Sequence, residues 1–109
     1  MTFRIPEADA NLEICWDKIG VPHIFAKSIP DAFRGMGYAC ASERLWQLHL
    51  SNLYATGTAA SVMGEKHLPQ DLMHKVFNVA ATDLPDSPGD YIVDAYLQGV
   101  NAYVDSLNE

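Results

Sequence analysis

The sequence predicts an α+β chain: a β-hairpin over about residues 11–27, then a mostly helical stretch over about 29–108. Three observations predict it. Apolar and polar residues alternate between Leu12 and Asp17; a turn sequence separates that run from a second β-rich one; and from Pro30 onward apolar residues recur at helical spacing behind capping residues.

Residues 1–10 are mixed and polar and read as an irregular lead-in. Leu12, Ile14 and Trp16 then alternate with Glu13, Cys15 and Asp17, the period of a strand with one buried face. Asp17-Lys18-Ile19-Gly20 reads as a turn, with Gly20 free to take a positive φ. Residues 21–26 form the second run. Pro22 has no N–H to donate, so it fits an edge or the first residues of a strand.

Ser28-Ile29-Pro30-Asp31 starts a helix. Ser28 can accept from a free N–H, Pro30 suits the first turn, and Asp31 complements the positive end of the dipole. The helix is expected over about residues 30–55. Its apolar residues, from Phe33 and Met36 through Leu45 and Trp46 to Leu53, surround most of it, as in a helix central to a larger body. Gly35 and Gly37 each cost about 1 kcal/mol relative to Ala in a helix interior, which close approach of another element would offset. Gly57 ends the pattern. Residues 59–63 read as a helical turn or two closed by Gly64, and Pro69 opens a short helix with Leu72, Met73, Val76 and Phe77 on one face. Residues 80–85 read as a loop. Ser87-Pro88-Gly89-Asp90 repeats the capping logic ahead of a last helix carrying Ile92, Ala95, Tyr96, Gly99, Val100, Tyr103, Val104 and Leu107. No internal repeat or linker divides residues 1–109.

A hydrophobic fraction of 49% over 109 residues is enough to build a core, although so short a chain gains stability from further packing. Fourteen acidic residues against seven basic ones give a net charge of −7, which argues against nucleic acid and anionic membrane partners. No run approaches the roughly 20 apolar residues of a membrane span. Met-Thr-Phe-Arg-Ile-Pro-Glu-Ala lacks the apolar stretch of a signal peptide, so the chain is cytoplasmic or its signal was removed or not included. Cys15 and Cys40 make neither a disulfide framework nor a zinc knuckle. Buried free thiols are the default, with a Cys15–Cys40 bridge left open.

Read without family knowledge, the residues offer little chemistry. His23, His49, His67 and His74 form no metal-binding pair, so zinc is not expected, and His23 reads as packed or hydrogen-bonded. There is no GxSxG elbow, no phosphate loop and no close carboxylate pair. Glu43-Arg44 interrupts the most apolar helix. A buried structural role is favoured, because Arg can donate to several carbonyls, over a solvated face or a catalytic role. Tyr91, Tyr96 and Tyr103 read as packing residues, or one lines a pocket mouth. No catalytic, cofactor-binding or metal-binding residue is assigned.

Five ordered segments nevertheless resemble the penicillin amidase family. Gly20-Val21-Pro22-His23-Ile24-Phe25-Ala26 is similar to its Gly-x-Pro-His-Ile-x-Ala. Asp31-Ala32-Phe33-x-Gly35-x-Gly37-Tyr38 follows at a family-like distance. Ala41-Ser42-Glu43-Arg44-Leu45-Trp46-Gln47 resembles Ala-Gln-Asp-Arg-Leu-Trp-Gln. The run from Ala55 to Gly64 resembles Gly-Arg-x-Ala-Glu-x-x-Gly, and Tyr96-Leu97-Gln98-Gly99-Val100-Asn101-Ala102-Tyr103-Val104 resembles Tyr-x-x-Gly-x-Asn-Ala-Trp/Tyr-Ile. Together they span nearly all of residues 12–109. The sequence also departs from the pattern. Glu43 stands where Asp is usual, Thr58 and Ser61 replace the common Arg and Glu, and Trp16 replaces a typical Arg before the turn Asp. Substrate preference is therefore not carried over.

The resemblance implies the N-terminal part of the α-chain of an N-terminal-nucleophile hydrolase, its hairpin belonging to an αββα sandwich. Such enzymes cleave themselves to expose a Ser at the start of a β-chain. That Ser attacks an amide with its own α-amino group as base, and donors of the β-chain hold the oxyanion. The implied partners are the remainder of the α-chain, that β-chain and a small acylated amide, either a β-lactam side-chain amide, an N-acyl-homoserine lactone or an acylated peptide. Calcium is implied for some full-length members, and a periplasmic location is usual. None of those groups maps here, and Ser28, Ser42, Ser51, Ser61, Ser87 and Ser106 do not match the nucleophile position. The expectation is a non-catalytic scaffold, inactive alone. The competing expectations are a naturally short, non-catalytic interaction protein and an unrelated helical binding module.

Overall fold

The structure is a computed structural model that describes residue 8, residues 12–77 and residues 86–108. The expected loop at 80–85 lies outside the described residues, as does all of the lead-in except residue 8. The order is β1 (Glu13–Trp16), β2 (Pro22–Phe25), α1 (Ile29–Thr56), α2 (Ala60–Met63), a 3-10 turn (Glu65–His67), α3 (Leu68–Phe77) and α4 (Asp90–Ser106). The α+β expectation of a hairpin followed by helices holds. These elements fall into two compact units, residues 1–43 with 86–109, and residues 44–85.

In the first unit β1 and β2 pair antiparallel with Ile14 opposite Ile24 and Trp16 opposite Pro22. Asp17 shapes the turn, its carboxylate accepting from the N–H groups of Ile19 (2.9 Å) and Val21 (3.0 Å). Gly20 takes φ +84, as its position required. The alternation puts Leu12 and Ile14 in the core with Tyr38, and Ile24 and Ala26 pack against them. Glu13, His23 and Phe25 face out. A lone two-stranded hairpin is marginal in water, so the helix beneath it supplies the stability.

Asp31 N–H donates to Ser28 Oγ at 3.3 Å, the cap the sequence predicted. Both early glycines of α1 are contact points. A Cβ on Gly35 would lie 2.7 Å from Ile24 Cγ2, and one on Gly37 would overlap the Tyr96 carbonyl of α4. Gly99 meets α1 the same way, against the Arg34 carbonyl. With Ala41 and Ala95 also buried, small residues let the two helices touch at backbone distance. Tyr38 and Tyr103 pack edge to face beside that contact, with ring centroids 5.5 Å apart. At the start of α4, Ser87 N–H donates to the Asp90 carboxylate (2.7 Å) and Gly89 N–H to Ser87 Oγ (3.3 Å). These bonds tie residues 87–90 together ahead of α4, but the N-cap is Gly89 and, among the described residues, no side chain accepts from the first N–H groups of the helix, so the expected Ser87 cap is not formed.

α1 is not one regular helix. Arg44 sits at φ −131, ψ 25, a break in the α conformation. Two residues earlier the Ser42 hydroxyl donates to Ala39 O at 2.7 Å, a back-bond that bends helices. The break also corrects the reading of Glu43-Arg44: both are exposed, not buried. Among the described residues, Arg44 Nη1 reaches Gln47 Oε1, at 3.5 Å. A guanidinium at an interrupted turn reaches water without any buried carbonyls to satisfy it. The two thiols are free and half-buried, whereas full burial was expected.

In the second unit α1 ends in a Schellman motif. Thr58 N–H donates to Leu53 O (2.9 Å) and Gly57 N–H to Tyr54 O (3.2 Å), with Gly57 at φ +68. α2 closes at Gly64, φ +102. α3 has the expected apolar face, but Leu72, Met73, Val76 and Phe77 are all more than half exposed, and its one buried residue is Asp71.

Candidate functional site

Three polar arrangements stand out from these elements, and all serve the fold. In the first unit Asp31, 4% exposed, is paired with Arg34 Nη1 at 2.7 Å. Arg34 Nε extends the chain of bonds to Gln98 Oε1 at 2.8 Å, joining α1 to α4. In the second unit the buried Asp71 carboxylate accepts from the N–H groups of Ala59 (3.2 Å) and Ala60 (2.7 Å). It caps the start of α2 from eleven or twelve residues away. The third is the turn pair at the hairpin, where His23 Nε2 meets Asp17 Oδ2 at 3.0 Å. His23 is thus hydrogen-bonded, as its position suggested, though half its side chain is exposed. That bond, followed by those from Val21 and Ile19, holds the Asp17 carboxyl below its ordinary value.

Sequence reasoning missed Asp71 and the Arg34–Gln98 bond. Asp71 reads locally as an acidic residue in its own first turn, and nothing nearby in sequence announces a partner across the Gly57–Gly64 turn. Arg34 and Gln98 are separated by 64 residues, beyond any local pattern.

The six serines share one trait. Ser42, Ser51, Ser61 and Ser106 donate to carbonyls three or four residues earlier, and Ser28 and Ser87 accept from N–H groups just ahead of them. Each hydroxyl is committed to local backbone. Among the described residues no group of three His, Cys, Asp or Glu side chains converges as a metal site. Burial pushes the Tyr38 phenol up, and burial with a bond to Cys40 does the same for Tyr96. The Cys15 thiol is also raised, chiefly because Sγ donates to the Glu13 carboxylate at 3.3 Å. None of these groups is primed as a nucleophile at neutral pH.

Two depressions stand out among the described residues. An open cleft of about 350 Å³ in the second unit is lined by residues that include Gly57, Thr58, Ser61, Asp71, Leu72 and Lys75. Thr58 and Ser61 are the two positions where the resembling pattern carries Arg and Glu. A smaller apolar hollow of about 200 Å³ in the first unit lies between Ile24 of β2 and Ala32, Phe33 and Met36 of α1.

The family described as penicillin amidase matches residues 11–109. Penicillin G acylase of Escherichia coli is 30% identical over 94% of this chain, and penicillin acylase 2 proenzyme of a Pseudomonas species is 32% identical over 96%. An acyl-homoserine lactone acylase of Pseudomonas fluorescens is 31% identical over 86%. The chain spans only 13%, 14% and 12% of these relatives' lengths. A solved structure of thermostable penicillin G acylase from Alcaligenes faecalis superposes with a TM-score of 0.68 at 28% identity, over 89% of this chain and 54% of that one.

Proposed function

The chain belongs to the penicillin amidase family, and from that premise we propose that it is the N-terminal, acyl-side scaffold of a hydrolase of linear amides. The observation that carries this reading is the extent of the likeness, which runs through hairpin and helices alike. The relatives bear the names of both penicillin acylases and acyl-homoserine lactone acylases. What they share is an acyl group joined to an amine through an amide. The proposed reaction is therefore hydrolysis of that bond to a carboxylic acid and an amine, with either a β-lactam side-chain amide or an N-acyl-homoserine lactone as substrate.

The proposed division of labour follows from what these residues are already doing. The serine hydroxyls are engaged with backbone, and the buried carboxylates serve an arginine and a helix start. The nucleophile then comes from a separate β-chain with a free N-terminal Ser, whose α-amino group takes the hydroxyl proton during attack. One of the relatives is named a proenzyme, which supports such processing here. The hairpin, with its outer side open, and the exposed face of α3 are the surfaces on which the rest of the enzyme would pack. By itself the chain would hold shape and not turn over substrate.

The test is to express the complete coding sequence and identify its chains by mass spectrometry. The same preparation is assayed for acid release from penicillin G and from N-acyl-homoserine lactones of several chain lengths. A second chain beginning with Ser, together with hydrolysis of either class, is the expected outcome. A single unprocessed species ending near Glu109, inert toward both, would instead indicate a non-catalytic interaction protein.

A further inference from the structure

We propose that α1 is shared between two cooperative units, with Glu43 and Arg44 as the joint, and that the second unit opens locally while the first stays folded. The acylase reading plays no part in it. Two separate observations meet at one peptide bond. The backbone leaves the α conformation at Arg44, with φ −131 and ψ 25. The division of the chain into compact units falls between residues 43 and 44.

Each side chain at the joint is bonded within its own unit. Glu43 Oε1 accepts from Trp16 Nε1 at 3.2 Å, a bond of the first unit. Arg44 Nη1 donates to Gln47 Oε1 at 3.5 Å, in the second. Longer links keep to the same division. The Arg34–Gln98 bond, the Tyr38–Tyr103 pair and the contacts of Gly37 and Gly99 belong to the first unit. The Asp71 cap and the packing of Tyr54 against His67, ring centroids 6.0 Å apart, belong to the second.

A helix is cooperative because each new hydrogen bond extends an ordered neighbour, and a residue outside the α region interrupts that propagation. The two units are also unequally supported. Among the described residues the first buries Leu12, Ile14, Tyr38, Ala41 and Ala95, whereas the second buries Leu53, Ala59 and Asp71 and carries the exposed face of α3. The segment with fewer buried apolar contacts opens at lower cost. Its opening leaves the first unit intact, because the part of α1 before the joint meets α4 directly at Gly37 and Gly99. Residues 44–85 then become a loop, whose closure cost grows only slowly with length.

Native-state hydrogen exchange on the 109-residue chain tests this. The expected result is two levels of protection. Amides of residues 49–56 and of α3 should exchange as one group, at least about tenfold less protected than those of residues 33–42 and of α4. Leu53→Ala should lower protection by about tenfold or more in the second unit and leave that of α4 unchanged. Asp71→Asn is a milder change that should act in the same unit alone, and Ile14→Val should act only in the first. In an unbroken helix a glycine would lower protection on both sides by about fivefold. At a joint, Arg44→Gly should leave residues 33–42 as they were. One level of protection shared by both units, high or low, would overturn the proposal. So would a loss in α4 on Leu53→Ala equal to that in α3, or a loss across residues 33–42 on Arg44→Gly.

Discussion

A methyl group has no room at Gly37 or Gly99, because each presses its α-carbon against a carbonyl of the opposite helix, Tyr96 or Arg34. Gly99→Ala is expected to cost about 3 kcal/mol or more by denaturant unfolding, since backbone must move. Gly20→Ala makes the contrast. Its Cβ would meet nothing within 4 Å, and only the positive φ of +84 opposes it, so about 1 kcal/mol is expected. If both cost the same, the α1–α4 contact is looser than described. Asp71→Ala leaves the N–H groups of Ala59 and Ala60 without their acceptor. A loss of about 1–3 kcal/mol is expected, with Asp71→Asn milder because it keeps one acceptor oxygen. Asp17 gives the chain a signature in acid. Its carboxyl is depressed in the folded state, chiefly by the His23 bond. Its contribution is therefore fully present above the ordinary aspartate value and disappears as pH falls through the lowered one. Asp17→Asn should flatten that part of the stability–pH curve, and an unchanged acid slope would remove Asp17 from the account.

Among the elements, what was legible in the sequence was whatever is set within a few residues. The Leu12–Trp16 alternation, the Asp17–Gly20 turn, the Ser28 cap and the Gly57 stop each carry their own chemistry, and each appears where expected. What was not legible depends on distant partners. The apolar periodicity of α3 predicted the helix correctly, but periodicity cannot say whether its face is covered, and in this chain it is not. Glu43-Arg44 read as buried because its neighbours are apolar. The break at Arg44 arises from conformation that no residue type announces. The polar network of Arg34 was invisible for the same reason as its partner Gln98, its distance along the chain. Exposure at α3 leads to a further expectation. Replacing Leu72 and Val76, 65% and 71% exposed, by Gln should change the stability of this chain by no more than about 0.5 kcal/mol each. Leu53→Ala, at a site 7% exposed, should cost about 2–5 kcal/mol. A large loss from the α3 pair would mean that its face is already covered in solution.

For the whole molecule, the balance between buried and exposed apolar surface is the governing quantity. The core cluster of the first unit is built on Leu12, Ile14 and Tyr38. Against it stand large exposed side chains in both units: Phe25, Ile29 and Tyr91 in one, Trp46, Val76 and Phe77 in the other. A polypeptide of this size already buries a smaller share of its surface than a larger domain. Backbone ordering alone costs on the order of 1–2 kcal/mol per residue. The 109-residue chain by itself should therefore melt broadly at modest temperature and bind a hydrophobic dye in its folded state. Co-expression with the remainder of a penicillin-amidase-type enzyme should raise the melting temperature and remove most of the dye signal. Both changes should be weakened by the Leu72→Gln, Val76→Gln pair, which should change the stability of the isolated chain by no more than about 0.5 kcal/mol per substitution. That combination ties the effect to burial of the α3 face. A sharp melt without dye binding in the isolated chain would show instead that these residues are satisfied as they stand, and the scaffold role would lose its physical basis.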